Sequence, residues 1–265
     1  MLGSSGFLGR VVTERLRKSR RVVPTHKTRR VFPDSLPYDI FSPGRSPLFS
    51  PEITTVVICA DFESEAASAV EDALRRLLEQ AQGKRVVYLS SDAIFSGERG
   101  LYSEDDVPEP RTPYGRNLLA CETLVRERGA DHLIIRPSYC YGFSHGQLDP
   151  RLARTRSALR AGETVSLFED MYKSPLGVQQ LAEAVASLNT SSLTGILHVA
   201  GPRMSVLEFH RAGMVALRQD SRKLVGTAMP ESADVQRDTS LSASRWRALS
   251  GSGGLSVAET LRHET

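Results

Sequence analysis

Two short stretches carry residues that could act together on a carbonyl. Tyr88–Gly97 (YLSSDAIFSG) passes from an apolar run into hydroxyls and a carboxylate, with Ser91 and Asp92 where the run ends. Thr112–Arg116 (TPYGR) puts Tyr114 at the start of a helix-patterned segment. A serine after a strand and a tyrosine near a helix start can converge on one carbonyl oxygen. The phenol then serves as general acid, and the serine hydroxyl donates a hydrogen bond to the developing charge. Open α/β sheets hold their ligands at the carboxyl ends of the strands, where Ser91 and Asp92 fall.

A third stretch points to a nucleotide. The chain opens with Gly3, Gly6 and Gly9 at GxxGxxG spacing, followed by a helical pattern over Arg10–Lys18. The first glycine permits a tight turn, the second leaves room for a pyrophosphate, and the third lets helix and sheet pack closely. The helix N-terminus then attracts the anion. Alone, the spacing describes many glycine-rich turns, and the helix behind it gives it weight. A dinucleotide-binding turn normally follows a strand of about five or six residues. Only Met1 and Leu2 precede Gly3, so the first strand is expected to be a stub unless the true chain begins further upstream. A missing central strand would expose sheet edges and weaken the cofactor site. After a strand candidate at Arg21–Val23 come Lys27, Arg29 and Arg30. An acidic residue in this region takes the ribose hydroxyls of NAD, whereas basic residues suit the 2′-phosphate of NADP. The alternative is a solvated basic loop.

These residues need a sheet to position them. Thr54–Ala60 (TTVVICA), Val86–Leu89 and Leu133–Arg136 are compact apolar runs of the kind buried on both faces. Between them, Ala66 to Ala81 and Tyr114–Arg128 repeat apolar residues at helical spacing, the first stopped by Gly83. This β-α-β-α-β order argues for a parallel sheet with helices on both faces. Beyond residue 142 the rhythm loosens. A helix is expected near Arg151–Ala161, an amphipathic one at Val178–Leu188, a strand at Gly195–Ala200, and a helix at Ser205–Leu217 capped by Ser205 with Glu208. Residues 219–254 read as polar loop.

Together these segments resemble the extended short-chain dehydrogenase/reductase family in its dTDP-4-dehydrorhamnose reductase branch. The resembling text is LGSSGFLG at the start, VVICA at 56–60, VVYLSSDAIFSG at 86–97 and PYGRNLLACE at 113–122. It continues with LIIRPSYCYG at 133–142, SPLGVQQLAEAV at 174–185, TGILHVAG at 194–201 and RDTSLSASR at 237–245. The resemblance implies a Rossmann-type, doubly wound parallel α/β sheet with a small C-terminal substrate lobe. Residues 1–142 would form the NAD(P)-binding core and 143–265 a lobe intertwined with it. It implies Ser91 and Tyr114 as the catalytic pair. Gly3, Ser5, Gly6, Phe7, Leu8 and Gly9 would border the cofactor, with Lys27 and Arg29 at its phosphate, Asp39 at the adenine, and Cys59 and Ala60 alongside. Tyr114, Pro137 and Ser138 would lie near the nicotinamide, and Asp92 and Tyr139 at the substrate. The expected activity is NADP-dependent reduction of a sugar-nucleotide or related carbonyl, NAD suiting the basic loop less well.

Two departures from the branch fall at functional places. The family motif is Tyr-x-x-x-Lys, and the fourth residue after Tyr114 is Leu118. Positions i and i+4 share a helical face, so the ammonium that holds the ribose and lowers the phenol pKa from about 10 is absent. Arg116 points to another face. Leu118 otherwise reads as core packing beside Cys121 and Val125. Ala93 stands where the branch commonly has an aromatic residue. These changes, with the short start, leave two other readings open. One is a non-catalytic cofactor-binding relative, for which the regulatory subunit of methionine adenosyltransferase is a precedent in the branch. The other is a repurposed non-redox enzyme using Tyr114.

The remaining residues exclude more than they suggest. The 265 residues carry a net charge of +3 with scattered arginines, which gives no basic stripe for nucleic acid. No apolar run approaches the roughly 18 residues of a membrane span. Cys59, Cys121 and Cys140 lie far apart, consistent with reduced thiols in a cytoplasmic compartment and with no metal site. The expected partner is a small-molecule substrate, with a homodimer left open because such relatives often dimerise. His198 reads as a structural histidine in a strand, Glu104–Asp106 as a solvated loop, and Trp246 as packing.

Overall fold

The computed structural model describes residues 1–42, 47–60, 66–129, 131–231, 235–251 and 254–263. The helix α1 (Phe7–Arg17) leads to two short strands, β1 (Thr25–His26) and β2 (Leu36–Pro37). Then come β3 (Thr55–Ile58), α2 (Ala67–Gln80), β4 (Arg85–Leu89), α3 (Pro113–Glu127) and β5 (His132–Arg136). β5, β4 and β3 lie side by side in parallel, and the strand Gly195–His198 joins outside β5. Val57, Val87, Leu133 and Ile135 face a layer containing Val11, Val12, Leu16, Leu181 and Val185, from α1 and from α5 (Val178–Leu188). Val56, Ile58, Val86, Tyr88 and Ile134 face Val70, Leu74, Leu77, Cys121 and Val125 from α2 and α3. Strand side chains alternate between faces. A strand apolar at every position therefore requires helices on both sides, and these strands have them.

Met1 and Leu2 hold the place of a strand between β3 and β1. The Leu2 N–H donates to the Val57 carbonyl (2.8 Å), and the Cys59 and Thr25 N–H groups donate to the Leu2 and Met1 carbonyls (3.1 and 3.0 Å). The Met1 amine also donates to the Val23 carbonyl (2.9 Å), so these two residues meet Val23 as well as Thr25. The strand expected at Arg21–Val23 forms instead at Thr25–His26, where Leu36–Pro37 supplies a parallel partner. A cavity of about 170 Å³ lies beside Met1, lined by Arg20, Val23, Thr55, Val57 and Asn189 among others. The helix expected to begin at Arg10 begins at Phe7, directly after the glycine turn.

Past residue 142, α4 (Pro150–Arg160), α6 (Val206–Ala216) and α8 (Val257–His263) gather round Tyr141, Leu152, Phe209, Met214 and Leu261. The Ser205 hydroxyl accepts from the Glu208 N–H (3.1 Å), and the Glu208 carboxylate accepts from the Ser205 N–H (2.7 Å), so the expected capping box forms. The supposed loop 219–254 contains a strand, Leu224–Thr227, and a short helix, α7 (Ser244–Ser250). The strand is mostly exposed and pairs in parallel with Val165–Phe168. Its partner lies far away in sequence, so no local pattern announces it. No helix among the described residues is long and apolar enough to cross a membrane.

Beneath the sheet ends lies a buried polar set. Arg136 makes a two-pronged ion pair with Glu122 (2.9 and 2.6 Å), and its Nη1 lies 3.3 Å from His198 Nε2. His198 Nδ1 lies 3.1 Å from the Tyr102 carbonyl, to which it can donate. Burial, then the charge of Arg136, lowers the His198 pKa to about 4. The imidazole is neutral and structural, as its strand position suggested. Glu104, expected in a solvated loop, is buried and accepts from the His198 N–H (2.9 Å). An acidic run shows no sign in sequence of which member will meet a free N–H.

Candidate nucleotide-binding and catalytic site

The three glycines of the opening turn do different work. Gly3 has φ +76°, and a Cβ there would lie 2.5 Å from the Cys59 carbonyl oxygen. A Cβ on Gly9 would lie 2.0 Å from the Gly3 oxygen. Both positions are glycine because the chain touches itself. Gly6 differs: its φ is −74°, and an added Cβ would come no nearer than 3.5 Å to another protein atom. Its missing side chain opens space outside the protein, at the start of α1. Neither a capping side chain nor a first-turn acid offsets that helix end, which leaves its partial positive charge for an anion.

A pocket of about 230 Å³ opens at this turn. It is lined by Gly3, Ser5, Gly6, Lys27, Asp39, Cys59 and Ala60, seven of the residues expected at the cofactor. Lys27 Nζ is 3.8 Å from an Asp39 carboxylate oxygen and 5.0 Å from the Phe41 ring centre. The same Asp39 oxygen accepts from the Phe41 N–H (3.0 Å), which orients it. Burial pushes the Cys59 thiol up to about 12, so it contributes shape and no charge. Phe7 and Leu8 are partly buried and pack against the core layer that contains Val11 and Val12. Arg29 is exposed, and its charge adds to burial in lowering the pKa of Arg10. Arg10 donates to the Ser5 carbonyl (3.0 Å) and is a cation of this turn that sequence reasoning overlooked. Its place directly after Gly9 was the available signal.

The second part of the site lies at the ends of β4 and β5. Ser91 caps a short turn over Asp92–Ile94, its Oγ accepting from the Ala93 N–H (3.3 Å) and donating to Asp92 Oδ1 (2.9 Å). The Asp92 N–H donates to the Pro137 carbonyl (3.0 Å), which ties this turn to the end of β5. The Asp92 carboxylate is 4% exposed, and its Oδ2 accepts from Ser138 Oγ (3.1 Å), Lys173 Nζ (3.1 Å) and the Thr239 hydroxyl. Tyr139 follows, with the Arg151 guanidinium 4.2 Å and Lys173 Nζ 5.4 Å from its ring centre.

Tyr114 reaches this neighbourhood through a glycine. A Cβ on Gly115 would stand 2.2 Å from the Ala93 carbonyl oxygen. Only glycine lets the first turn of α3 sit on the Ser91–Ile94 segment. The Thr112 hydroxyl caps that turn, accepting from the Gly115 N–H (3.1 Å). Leu118 is 3% exposed and packs in the same core cluster as Cys121 and Val125. Ser91, Asp92, Pro137, Ser138 and Tyr139 thus gather round one buried carboxylate, with the Tyr114 turn against Ala93. Lys173 and Thr239 join them without having been singled out. Thr239 lies inside the late segment 237–245 that the resemblance marks, whereas nothing in sequence flags Lys173.

A parallel sheet with helices on both faces, a glycine turn opening on a pocket before α1 and a hydroxyl-bearing turn at the ends of β4 and β5 make this a Rossmann-type fold. The chain belongs to the family described as the RmlD substrate binding domain, whose model matches residues 1–261. It is 31% identical over 218 residues to a probable low-salt glycan biosynthesis reductase of Haloferax volcanii, covering 75% of this chain and 72% of that one. It is 30% identical over 161 residues to the dTDP-4-dehydrorhamnose reductase of Salmonella typhimurium, a match spanning 57% of this chain and only 48% of the enzyme. A hypothetical dTDP-4-dehydrorhamnose reductase from Sulfolobus tokodaii superposes with a TM-score of 0.80 at 26% identity, over 94% of this chain and 93% of the other. The dTDP-4-dehydrorhamnose reductase of Bacillus anthracis, solved in complex with NADP, shares the fold with a TM-score of 0.75 at 21% identity, over 99% and 96% of the two chains.

Proposed function

We propose that this chain is an NADP-dependent reductase of a keto-sugar nucleotide, of the dTDP-4-dehydrorhamnose reductase kind. The observation that carries the reading is the packing of Gly115 on Ala93, which holds the Tyr114 turn against the turn that presents Ser91. The pocket beside Gly3, Ser5 and Gly6 suits the adenosine and pyrophosphate part of a dinucleotide, with the α1 N-terminus for the pyrophosphate and Asp39 at the adenosine end. Lys27 and Arg29, with no acid in their place, favour a 2′-phosphate and therefore NADP. The bound cofactor supplies the hydride. Tyr114 delivers the proton to the substrate oxygen, and the Ser91 hydroxyl, whose one proton points to Asp92 without substrate, turns to donate it to that oxygen as charge develops. Ser138 and Tyr139 border the substrate. The free thiols Cys59, Cys121 and Cys140, each pushed up to about 12 by burial, suit a reducing cytoplasm.

The test is loss of NADPH absorbance on mixing the protein with dTDP-4-dehydrorhamnose and related keto-sugar nucleotides. Oxidation abolished in Tyr114→Phe supports the reading. Leu118 favours a second reading, in which the cofactor binds and no hydride leaves it. Tight NADPH binding without oxidation by any keto-sugar nucleotide would select that one.

A further inference from the structure

The reaction end contains a cation where the chain order does not lead one to look. Lys173 is 6% exposed. Its Nζ lies 3.1 Å from Asp92 Oδ2 and 2.5 Å from the Thr239 hydroxyl oxygen. Asp92 in turn accepts the Ser91 hydroxyl through its other oxygen, at 2.9 Å. Lys173 therefore stands one side chain away from the hydroxyl that the proposed chemistry needs in place. The face four residues beyond Tyr114, by contrast, presents only Leu118, buried among apolar neighbours. A buried carboxylate left without its cation is costly, and it seeks other donors. Without Lys173, Asp92 would draw on Ser91, Ser138 and Thr239 alone, and the Ser91–Ile94 turn would shift with it.

We propose that Lys173 is the positioning residue of Ser91, acting through Asp92. The kinetic part of this proposal rests on the reductase reading; the structural part does not. Lys173 also joins three separate stretches. It bridges the Ser91–Asp92 turn after β4, its own segment at 172–174, and Thr239 near the C-terminal end. Neighbouring contacts brace the same junction: the Ser174 N–H donates to Ser138 Oγ (3.1 Å), and the Leu241 N–H donates to Ser174 Oγ (3.0 Å). The serine is thereby set by the lobe as well as by the sheet.

The experiment is a mutant cycle between Lys173→Met and Ser91→Ala in the full chain. With keto-sugar nucleotide and NADPH, Lys173→Met should lower kcat about tenfold to a hundredfold, as expected for a misplaced donor. Its NADPH Kd should stay within about twofold. In the Ser91→Ala background the same substitution should cost less than about twofold, because its effect passes through Ser91. Equal losses in both backgrounds, or a folded Lys173→Met of unchanged kcat, would overturn the proposal. If Lys173→Met does not fold, Lys173→Met with Asp92→Asn removes both charges. From Asp92→Asn, adding Lys173→Met should change kcat less than about twofold, because the route through Asp92 is already cut; a further loss of about tenfold or more would overturn the proposal. If the wild type oxidises no NADPH, the reductase reading fails, and amide exchange decides the rest. Lys173→Met should then exchange about tenfold faster over residues 91–95 with the β3–β5 amides unchanged. Unaltered exchange at 91–95 would refute the positioning role.

Discussion

The two ends of the site are built on opposite principles. At the nucleotide end the protein leaves space: Gly6 has room for a side chain it does not carry, and Lys27 is half-exposed beside an open pocket. At the reaction end the protein fills space: Asp92 meets four side-chain donors, and Lys173 is buried with it. The first end lines its pocket with seven of the residues expected at a dinucleotide. The second combines a Ser/Tyr pair with Leu118, Ala93 and an unanticipated lysine. Cofactor affinity and turnover should therefore respond to different substitutions.

The sharpest way to break this contrast is Tyr114→Phe. It should reduce NADPH oxidation about 10²–10⁴-fold, the usual contribution of a general acid, while titration calorimetry finds the NADPH Kd unchanged. A parallel loss of affinity would mean the two ends are not separable. Next is the polar set beneath the reaction end. Arg136→Met leaves Glu122 buried without its ion pair and should cost about 3–5 kcal/mol in denaturant unfolding, whereas Lys27→Ala should leave stability within about 0.5 kcal/mol. At the nucleotide end, Lys27→Ala with Arg29→Ala should weaken NADPH about tenfold to a hundredfold, the range for hydrogen bonds to a charged group, and leave NADH binding nearly unaltered. Equal weakening of both would place these cations away from the 2′-phosphate.

The smallest effect is a pH dependence. Burial lowers both His198 and His210 to about 4, against about 6.5 in an unfolded chain. Below about pH 6.5 the unfolded chain therefore binds protons that the folded one does not. Stability should fall as pH drops from about 6.5 toward 4 and change little from these groups above 6.5. Thermal unfolding across that range checks the sign, and His198→Asn should flatten part of the slope.

What was legible follows from how local each feature is. The strand runs at 55–58, 85–89 and 132–136 and the helices at 67–80, 113–127 and 178–188 lie within a few residues of their expected limits. Continuous apolar runs and helical periods are properties of neighbouring residues. The Ser205–Glu208 capping box is a four-residue device and was equally visible. The strand at Leu224–Thr227, the burial of Glu104 and the displacement from Arg21–Val23 to Thr25–His26 were not. Each depends on a backbone or side chain supplied from elsewhere in the chain.

The sequence by itself determined the sheet, its helical layers, the glycine turn, and the residues Ser91, Tyr114 and Lys27 as candidates, with Asp39 added by the family resemblance. Periodicity, glycine spacing and motif order all act over short range. That Gly6 faces open space while Gly3 and Gly9 face the chain itself was readable from the glycine spacing; the long-range contacts were left to the tertiary structure. It alone brought Lys173 and Thr239 to Asp92 from 81 and 147 residues away. A lysine's role depends on the charge it meets, and that meeting is made by folding.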